Sequence, residues 1–479
     1  MLFNSIQFAI FLILVYVLYW FAFKKNLKGQ NTLLFAVSYI FYAFWDYRFL
    51  TLLFTSTIIG YFCGIQIEKV KSNKARKRWL VIGITGLLSL LFLFKYFNFF
   101  IISFSDLVAL IGFNPHLTTL SIILPLGISF YTFHGLSYVL DVYNKKINPT
   151  ASFIDYSIFI SFFPLLIAGP IERATHLLPQ IEKSRIFNYS KTIDGLKQIL
   201  WGLFKKIVIA DSCASLVNPI FAGQEPYYGS TYLLGAILFS IQIYADFSGY
   251  SDMAIGIARL LGFDILNNFR YPYFSRNIAE FWRRWHISLT SWFRDYLYIP
   301  LGGSRNGIYK TVRNIFIIFL ISGLWHGANW TFLFWGLLNA FYILPSILWK
   351  TNRNYIDIVA KDRGMPRIKE TLQIALTFSL ATFSWIFFRC ETLEDAFVYI
   401  NNIFSSTLFT KPDLFSGNII LIILLFFIIE WIGRRDRYAI ENIGIRWKTH
   451  YRWMMYYAII IFILYFSNGD QQQFIYFQF

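Results

Sequence analysis

The sequence predicts an all-α polytopic membrane protein, because apolar residues make up 57% of its 479 positions while charged residues make up only 14%. A soluble domain carries roughly 25% charged residues, so a chain this poor in charge has little with which to face water. Repeated apolar runs separated by short basic stretches supply the second observation. At about 20 residues per crossing they allow about ten to twelve spans.

The elements follow in order. Ile6 to Phe23 is apolar but has no basic segment before it and no small-residue cleavage pattern, so it reads as a retained helix and not a signal peptide. Lys24, Lys25 and Lys28 follow it, and two more short spans lead to a loop bearing Lys69, Lys71, Lys74, Arg76, Lys77 and Arg78. Basic loops mark the cytoplasmic side. The stretches Lys350 to Lys369 and Arg434 to Arg452 are also basic, and the apolar runs near 371–389 and 418–433 bring the chain back to that side. A final span near Met454 to Phe466 then delivers residues 471–479, "QQQFIYFQF", to the extracytoplasmic face. The net charge of +17 is explained by these loops, so nucleic acid is not an expected partner. Without a long soluble insertion or an internal repeat, residues 1–479 read as one domain. Cys63, Cys213 and Cys390 have neither metal-ligand nor disulfide spacing, and no metal is expected.

Chemistry concentrates at two histidines. His326 lies within Ile315 to Trp349, a run without Asp, Glu, Lys or Arg, where an ionisable group is costly and marks a functional site. Gly323 and Gly327 beside it let another backbone or a substrate approach, whereas the plainer alternative makes His326 and Asn329 interhelical hydrogen-bonding groups. His286 lies in "NIAEFWRRWHISLTSWFRDYLYIPLGG". Read as one helix, that segment lines up Arg283, His286, Thr290 and Arg294 as a polar stripe suited to a cavity wall or to the membrane surface. A neutral imidazole is a suitable general base for acyl transfer, and the chain has no Gly-x-Ser-x-Gly elbow, metal-ligand cluster or phosphate loop.

These residues carry a resemblance. A charged aromatic segment with one His, followed some forty residues later by "GLWHGANW" at 323–330, is similar to the membrane-bound O-acyltransferase family. The segments "LPLGISFYTFHGLSYVLDVY" at 124–143, "FFPLLIAGPIERATHLLPQ" at 162–180, "DFSGYSDMAIGIARLLGFD" at 246–264 and "NFRYPYFSRNIAEFWRRWHISLTSWFRDYLYIPLGG" at 268–303 resemble its branch acetylating alginate and peptidoglycan. The match centres on about 124–340. It implies a ring of helices around a thin catalytic region in the bacterial inner membrane, with catalysis at His326 and an important second position at His286. It also implies acetyl-coenzyme A as the cytoplasmic donor, with no bound cofactor, and an extracytoplasmic acetyltransferase of the SGNH or GDSL type as partner.

Tyr250, Asp252, Arg283, Trp325 and Asn329 are candidates for lining the substrate path. For Tyr250 and Asp252 the structural alternative is a helix-to-helix hydrogen bond or a pairing with Arg259. Arg283 and Arg284 either hold donor phosphates or pair with Glu280 and Asp295, and the structural role is favoured. His134 reads as a satisfied polar residue, and His116, His176 and His450 as loop residues outside any constellation. The terminal "FIYFQF" contains Phe474, Tyr476 and Phe479 as Phe-x-Tyr-x-x-Phe, similar to the terminal motif of the partner peptide in teichoic-acid D-alanylation. A phenol ionises more readily than an alkyl alcohol, so Tyr476 is the candidate acyl carrier. An aromatic interfacial plug is the alternative. Rival functions are D-alanyl transfer and transport of a polysaccharide or lipid.

Overall fold

The computed structural model describes residues 1–113, 118–120, 123–223, 225–467 and 472–475, in which every regular element is helical. Six helical stretches are long and apolar enough to cross a membrane, and Ile6–Ala22 and Gly417–Ile432 are shorter apolar helices. The expected all-α polytopic class is therefore observed. The first long stretch, Leu27–Lys69, divides at the extended residue Asp46 into two helices of 20 residues each, about 30 Å apiece and matched to a bilayer core.

The chain forms two compact units, one of residues 1–192 with 258–266 and the other of 193–257 with 267–479. The first contains α1 (Ile6–Val17), α2 (Leu27–Asp46), α3 (Leu50–Lys69), α4 (Asn73–Leu91), α5 (Phe97–Ala109), α6 (Ile128–Tyr143), α7 (Phe153–Ser161), α8 (Phe163–Leu166) and α9 (Ala174–Glu182). His134 on α6 is buried and accepts the backbone N–H of Glu172 at 3.1 Å, the structural role expected of it. His176 was expected in a loop but lies on α9, where its Nδ1 meets Glu172 Oε2 at 2.8 Å. His116 falls outside the described residues.

The second unit takes most of α10 (Tyr189–Leu203), then α11 (Asp211–Ala222) and most of α12 (Gly229–Leu260). After these come α13 (Ile278–Arg284), α14 (Ile287–Phe293), α15 (Ile308–His326), α16 (Trp330–Leu348), α17 (Ile368–Arg389), α18 (Leu393–Ile403), α19 (Gly417–Ile432) and α20 (Thr449–Phe466). His450, also expected in a loop, lies in the first turn of α20. Met454, Ile461 and Leu464 on that helix are more than half exposed, as befits side chains meeting lipid.

Two features of this unit place its polar groups. A wide π-helical segment, Phe204–Ala210, joins α10 to α11 and carries Lys205 and Lys206 on consecutive positions. Helix α12, 32 residues long, has most of its apolar window buried in protein, which explains how it tolerates Asp246 and Asp252. The two are packed backbone against backbone. A Cβ on Gly202 would stand 2.6 Å from the Gly249 carbonyl oxygen, and one on Gly249 would stand 2.8 Å from that of Gly202. Small residues at both positions bring the lysines onto the carboxylates.

Candidate active site

His326 is the last residue of α15, buried at 5% exposure, and its ring meets Trp325, Trp335 and Phe388 at centroid distances of 4.8, 5.1 and 5.1 Å. Glycine makes this placement feasible. A Cβ on Gly323 would lie 2.3 Å from the Phe332 carbonyl oxygen, and one on Gly336 would lie 2.3 Å from that of Phe319, so α15 and α16 touch along their backbones. Gly327 is equally tight against the Phe332 ring. The approach expected at Gly323 and Gly327 is thus made by the neighbouring helix. Asn329 caps α16, accepting the Thr331 N–H at 3.1 Å while donating to the Glu391 carbonyl at 2.7 Å. Its amide is engaged on both sides in structure.

The segment around His286 is not the continuous helix its spacing suggests. Helix α13 stops at Arg284, Trp285 is extended, His286 adopts φ 44° and ψ 54°, and α14 begins at Ile287. Tertiary contacts impose the break: Arg270 N–H donates to the Arg284 carbonyl and Ile287 N–H to the Asn268 carbonyl, at 3.0 and 2.9 Å. Left-handed backbone is strained for a non-glycine residue and is held only where its surroundings demand it. The consequence is that the polar stripe disperses. His286 turns inward to 1% exposure, whereas Arg294 reaches outward to Asp295.

Asn268 fixes the His286 ring. Its Oδ1 lies 2.9 Å from His286 Nδ1 and also accepts the Ser288 hydroxyl at 2.9 Å, while its Nδ2 donates to Ser251 Oγ at 3.2 Å. An acceptor facing Nδ1 requires the proton there, which leaves the lone pair on Nε2. That nitrogen is buried without a hydrogen-bond partner among the described residues. Burial pushes the ring pKa down to about 3, so the imidazole is neutral at physiological pH. The His286 and His326 centroids are 6.5 Å apart, with Trp325 against both rings. Two imidazoles close to each other, in aromatic surroundings that exclude water, are placed to take a proton from a hydroxyl brought between them.

The remaining candidates divide between this centre and its supports. Tyr250 is 4% exposed and its ring lies tilted against Phe474 with centroids 4.9 Å apart. Asp252 is paired with Lys205 at 2.5 Å and accepts Gln198 Nε2 at 2.7 Å, so a helix-to-helix pairing holds with Lys205 as its cation. Arg283 donates to the Asn352 and Tyr355 carbonyls, both at 2.6 Å, and Arg284 pairs with Glu280 at 2.7 Å, the structural use favoured for this pair. A cavity beside Asn268 is lined by Lys205, Tyr244, Ser251, Asp252 and Glu430.

The C-terminal segment enters the same unit. Phe474 and Ile475 are buried at 2% and 1%, and Phe474 packs 6.2 Å from Phe247, whose ring stands edge-on to His286 at 4.7 Å. Tyr476 and Phe479 fall outside the described residues. Sequence reasoning missed Asn268, Phe247, Lys205, Lys206 and Asp246. The adjacent lysines in "WGLFKKIVIA" at 201–210 did carry a signal, namely two charges in an apolar run. Asn268 had none, because its importance lies in what it faces.

Comparison with known proteins identifies the family. Residues 39–390 match the membrane-bound O-acyltransferase family profile. The probable alginate O-acetylase AlgI of Pseudomonas aeruginosa is 38% identical over 86% of this chain and 78% of its own length. That of Pseudomonas putida is 36% identical over 95% of this chain and 96% of its own. The peptidoglycan O-acetyltransferase of Helicobacter pylori is 37% identical over 78% of this chain and 74% of its own.

Proposed function

Because this chain belongs to the membrane-bound O-acyltransferase family, we propose that it carries an acetyl group from cytoplasmic acetyl-coenzyme A to an envelope polysaccharide through an acyl-tyrosine at Tyr476. The observation that supports the carrier is the burial of Phe474 and Ile475 within the unit that holds both histidines. Residue 476 is the next in the chain.

The step runs as follows. His326 takes the phenol proton, with the Nε2 lone pair of His286 as a second acceptor at the site. The phenolate oxygen attacks the thioester carbonyl, the C–S bond breaks, and the coenzyme A thiolate recovers the proton from the imidazolium. A phenyl ester remains activated because phenoxide is a good leaving group. An SGNH-type partner then takes the acetyl group on its serine, and its choice of acceptor selects the polymer. In this reading the multi-pass acyltransferase works in the bacterial inner membrane, with its basic loops facing the cytoplasmic donor.

Membrane vesicles supplied with labelled acetyl-coenzyme A and the partner test this. Tyr476→Phe keeps the aromatic ring and removes the nucleophile, so polymer label is expected to disappear; unchanged labelling rejects the carrier. His326→Ala is expected to abolish label on Tyr476 with the protein still in the membrane. Labelled D-alanine in place of acetate would establish the rival branch, and donor turnover that leaves no acetyl on Tyr476 or any acceptor would reopen transport.

A further inference from the structure

The residues holding the C-terminal segment are charged and buried, which is an expensive way to secure an apolar chain end. Lys206 Nζ lies 2.8 Å from Asp211 Oδ1 and 2.9 Å from Asp246 Oδ1, with side-chain exposures of 6, 14 and 2%. Its third donor reaches the Gln472 carbonyl at 3.2 Å. Asp246 uses its other oxygen, Oδ2, to accept the Ile475 N–H at 2.7 Å. Asn218 Nδ2 donates to Gln472 Oε1 at 3.1 Å. Lys206 therefore hydrogen-bonds Asp211 and the Gln472 carbonyl while facing Asp246 Oδ1 as an ion pair, and the clamp's contacts to the segment are to main-chain atoms at two positions three residues apart.

Apolar packing of Phe474 and Ile475 would suffice to bury this segment, whereas taking Lys206, Asp211 and Asp246 out of water carries a desolvation penalty that their attraction must first offset. What the charges add is register. A ring packed in an apolar slot tolerates sliding; a carbonyl on an ammonium and an N–H on a carboxylate do not. We propose that Lys206 and Asp246 form a register clamp that grips the main chain at Gln472 and Ile475 and so sets the position of the acyl-carrying residue 476. They are positioning residues, reaching the chemistry only through the main chain they hold. This rests on the carrier role of Tyr476. A slip of one residue would move that phenol by about 3.8 Å, and misplacement of a reactant by even about 1 Å costs on the order of 10²-fold in rate.

The test uses full-length protein in nanodiscs with Asn218→Cys and Gln472→Cys, joined by a short bis-maleimide. Cross-linking yield reads the register, and mass spectrometry reads acetyl on Tyr476. Asp246→Ala and, separately, Ile475→Pro, which removes the donor on the segment itself and is read against Ile475→Ala, which shortens the same buried side chain and keeps the N–H, should each lower cross-linking about ten-fold, the scale set by losing one hydrogen bond to a charged group. Acetyl-Tyr476 should fall in parallel, read well below each variant's thermal midpoint, because Asp246→Ala removes one of the two carboxylates facing buried Lys206 and lowers that midpoint. Full cross-linking in both variants overturns the clamp, as does loss of acetyl-Tyr476 with cross-linking intact. Should Asp246→Ala fail to fold, Ile475→Pro compared with Ile475→Ala decides: equal cross-linking in the two overturns the clamp. Tyr476→Phe separates the two ideas: cross-linking should persist, so retained polymer acetylation there rejects the carrier and leaves the clamp judged on cross-linking.

Discussion

Replacing Asn268 by alanine tests the arrangement around His286 most directly. In the native protein the Asn268 carbonyl oxygen accepts from His286 Nδ1 and the Ser288 hydroxyl, and the amide donates to Ser251. Alanine removes all three bonds and leaves His286 free to move its proton to Nε2. One buried hydrogen bond is worth about 0.5 to 1.5 kcal/mol net, which shifts the tautomer ratio by roughly two- to ten-fold. Loss of ring orientation adds to this, and in a serine protease a wrong-tautomer substitution costs about 10⁴ in kcat. A fall in kcat of about 10 to 10³-fold is expected, with a smaller change in KM for acetyl-coenzyme A. Single-turnover acetylation of Tyr476 in nanodiscs measures it, and the carrier-independent readout is thioester cleavage. Asn268→Asp keeps an acceptor, and its carboxylate should raise the His286 pKa and draw an acid limb of the pH–rate profile toward neutrality. Native kcat in folded Asn268→Ala, with no change of profile in Asn268→Asp, would refute the assigned tautomer and its importance.

Three further outcomes are expected. Lys205→Met strands Asp252 in a site only 12% exposed, so thermal unfolding should report a loss of about 3 to 5 kcal/mol; a variant as stable as the parent would mean that Asp252 is neutral or hydrated. Gly323→Ala sets a methyl 2.3 Å from the Phe332 carbonyl oxygen and should cost about 1 to 3 kcal/mol by the same assay, with His326 displaced and activity reduced. His176 has its pKa raised by the hydrogen bond to Glu172. Its contribution is therefore full below about pH 6.5 and is lost as pH rises through the elevated folded value. Since the ring is 42% exposed the effect is screened to about 0.2 to 1 kcal/mol. His176→Gln should flatten that part of the stability–pH curve, and an unaltered slope would count against the pair.

How far the site could be read beforehand differs from residue to residue. His326 stood out as a candidate because an imidazole inside a run without charge is costly to bury, and the glycines around it announced close packing. Arg283 was favoured as structural through Glu280 or Asp295, whereas its hydrogen bonds go to the Asn352 and Tyr355 carbonyls, which no spacing rule predicts. His286 was noticed for the wrong geometry. A helical stripe treats positions 283, 286, 290 and 294 as neighbours, whereas the chain bends at 285–286 because residues 268–270 bond into the gap.

The sequence by itself determined the membrane class, since scarcity of charge and the length of apolar runs are additive properties that need no partner. It also singled out His326 as the candidate for the chemistry and the aromatic motif of Phe474, Tyr476 and Phe479 as a candidate carrier segment. The tertiary structure decided which proton His286 carries, which cations meet Asp246 and Asp252, and what holds residues 472–475. Those are hydrogen-bond and ion-pair choices between groups up to 266 positions apart. Their free energies depend on burial and on distances of 2.5 to 3.2 Å that only the packed glycine contacts between helices set.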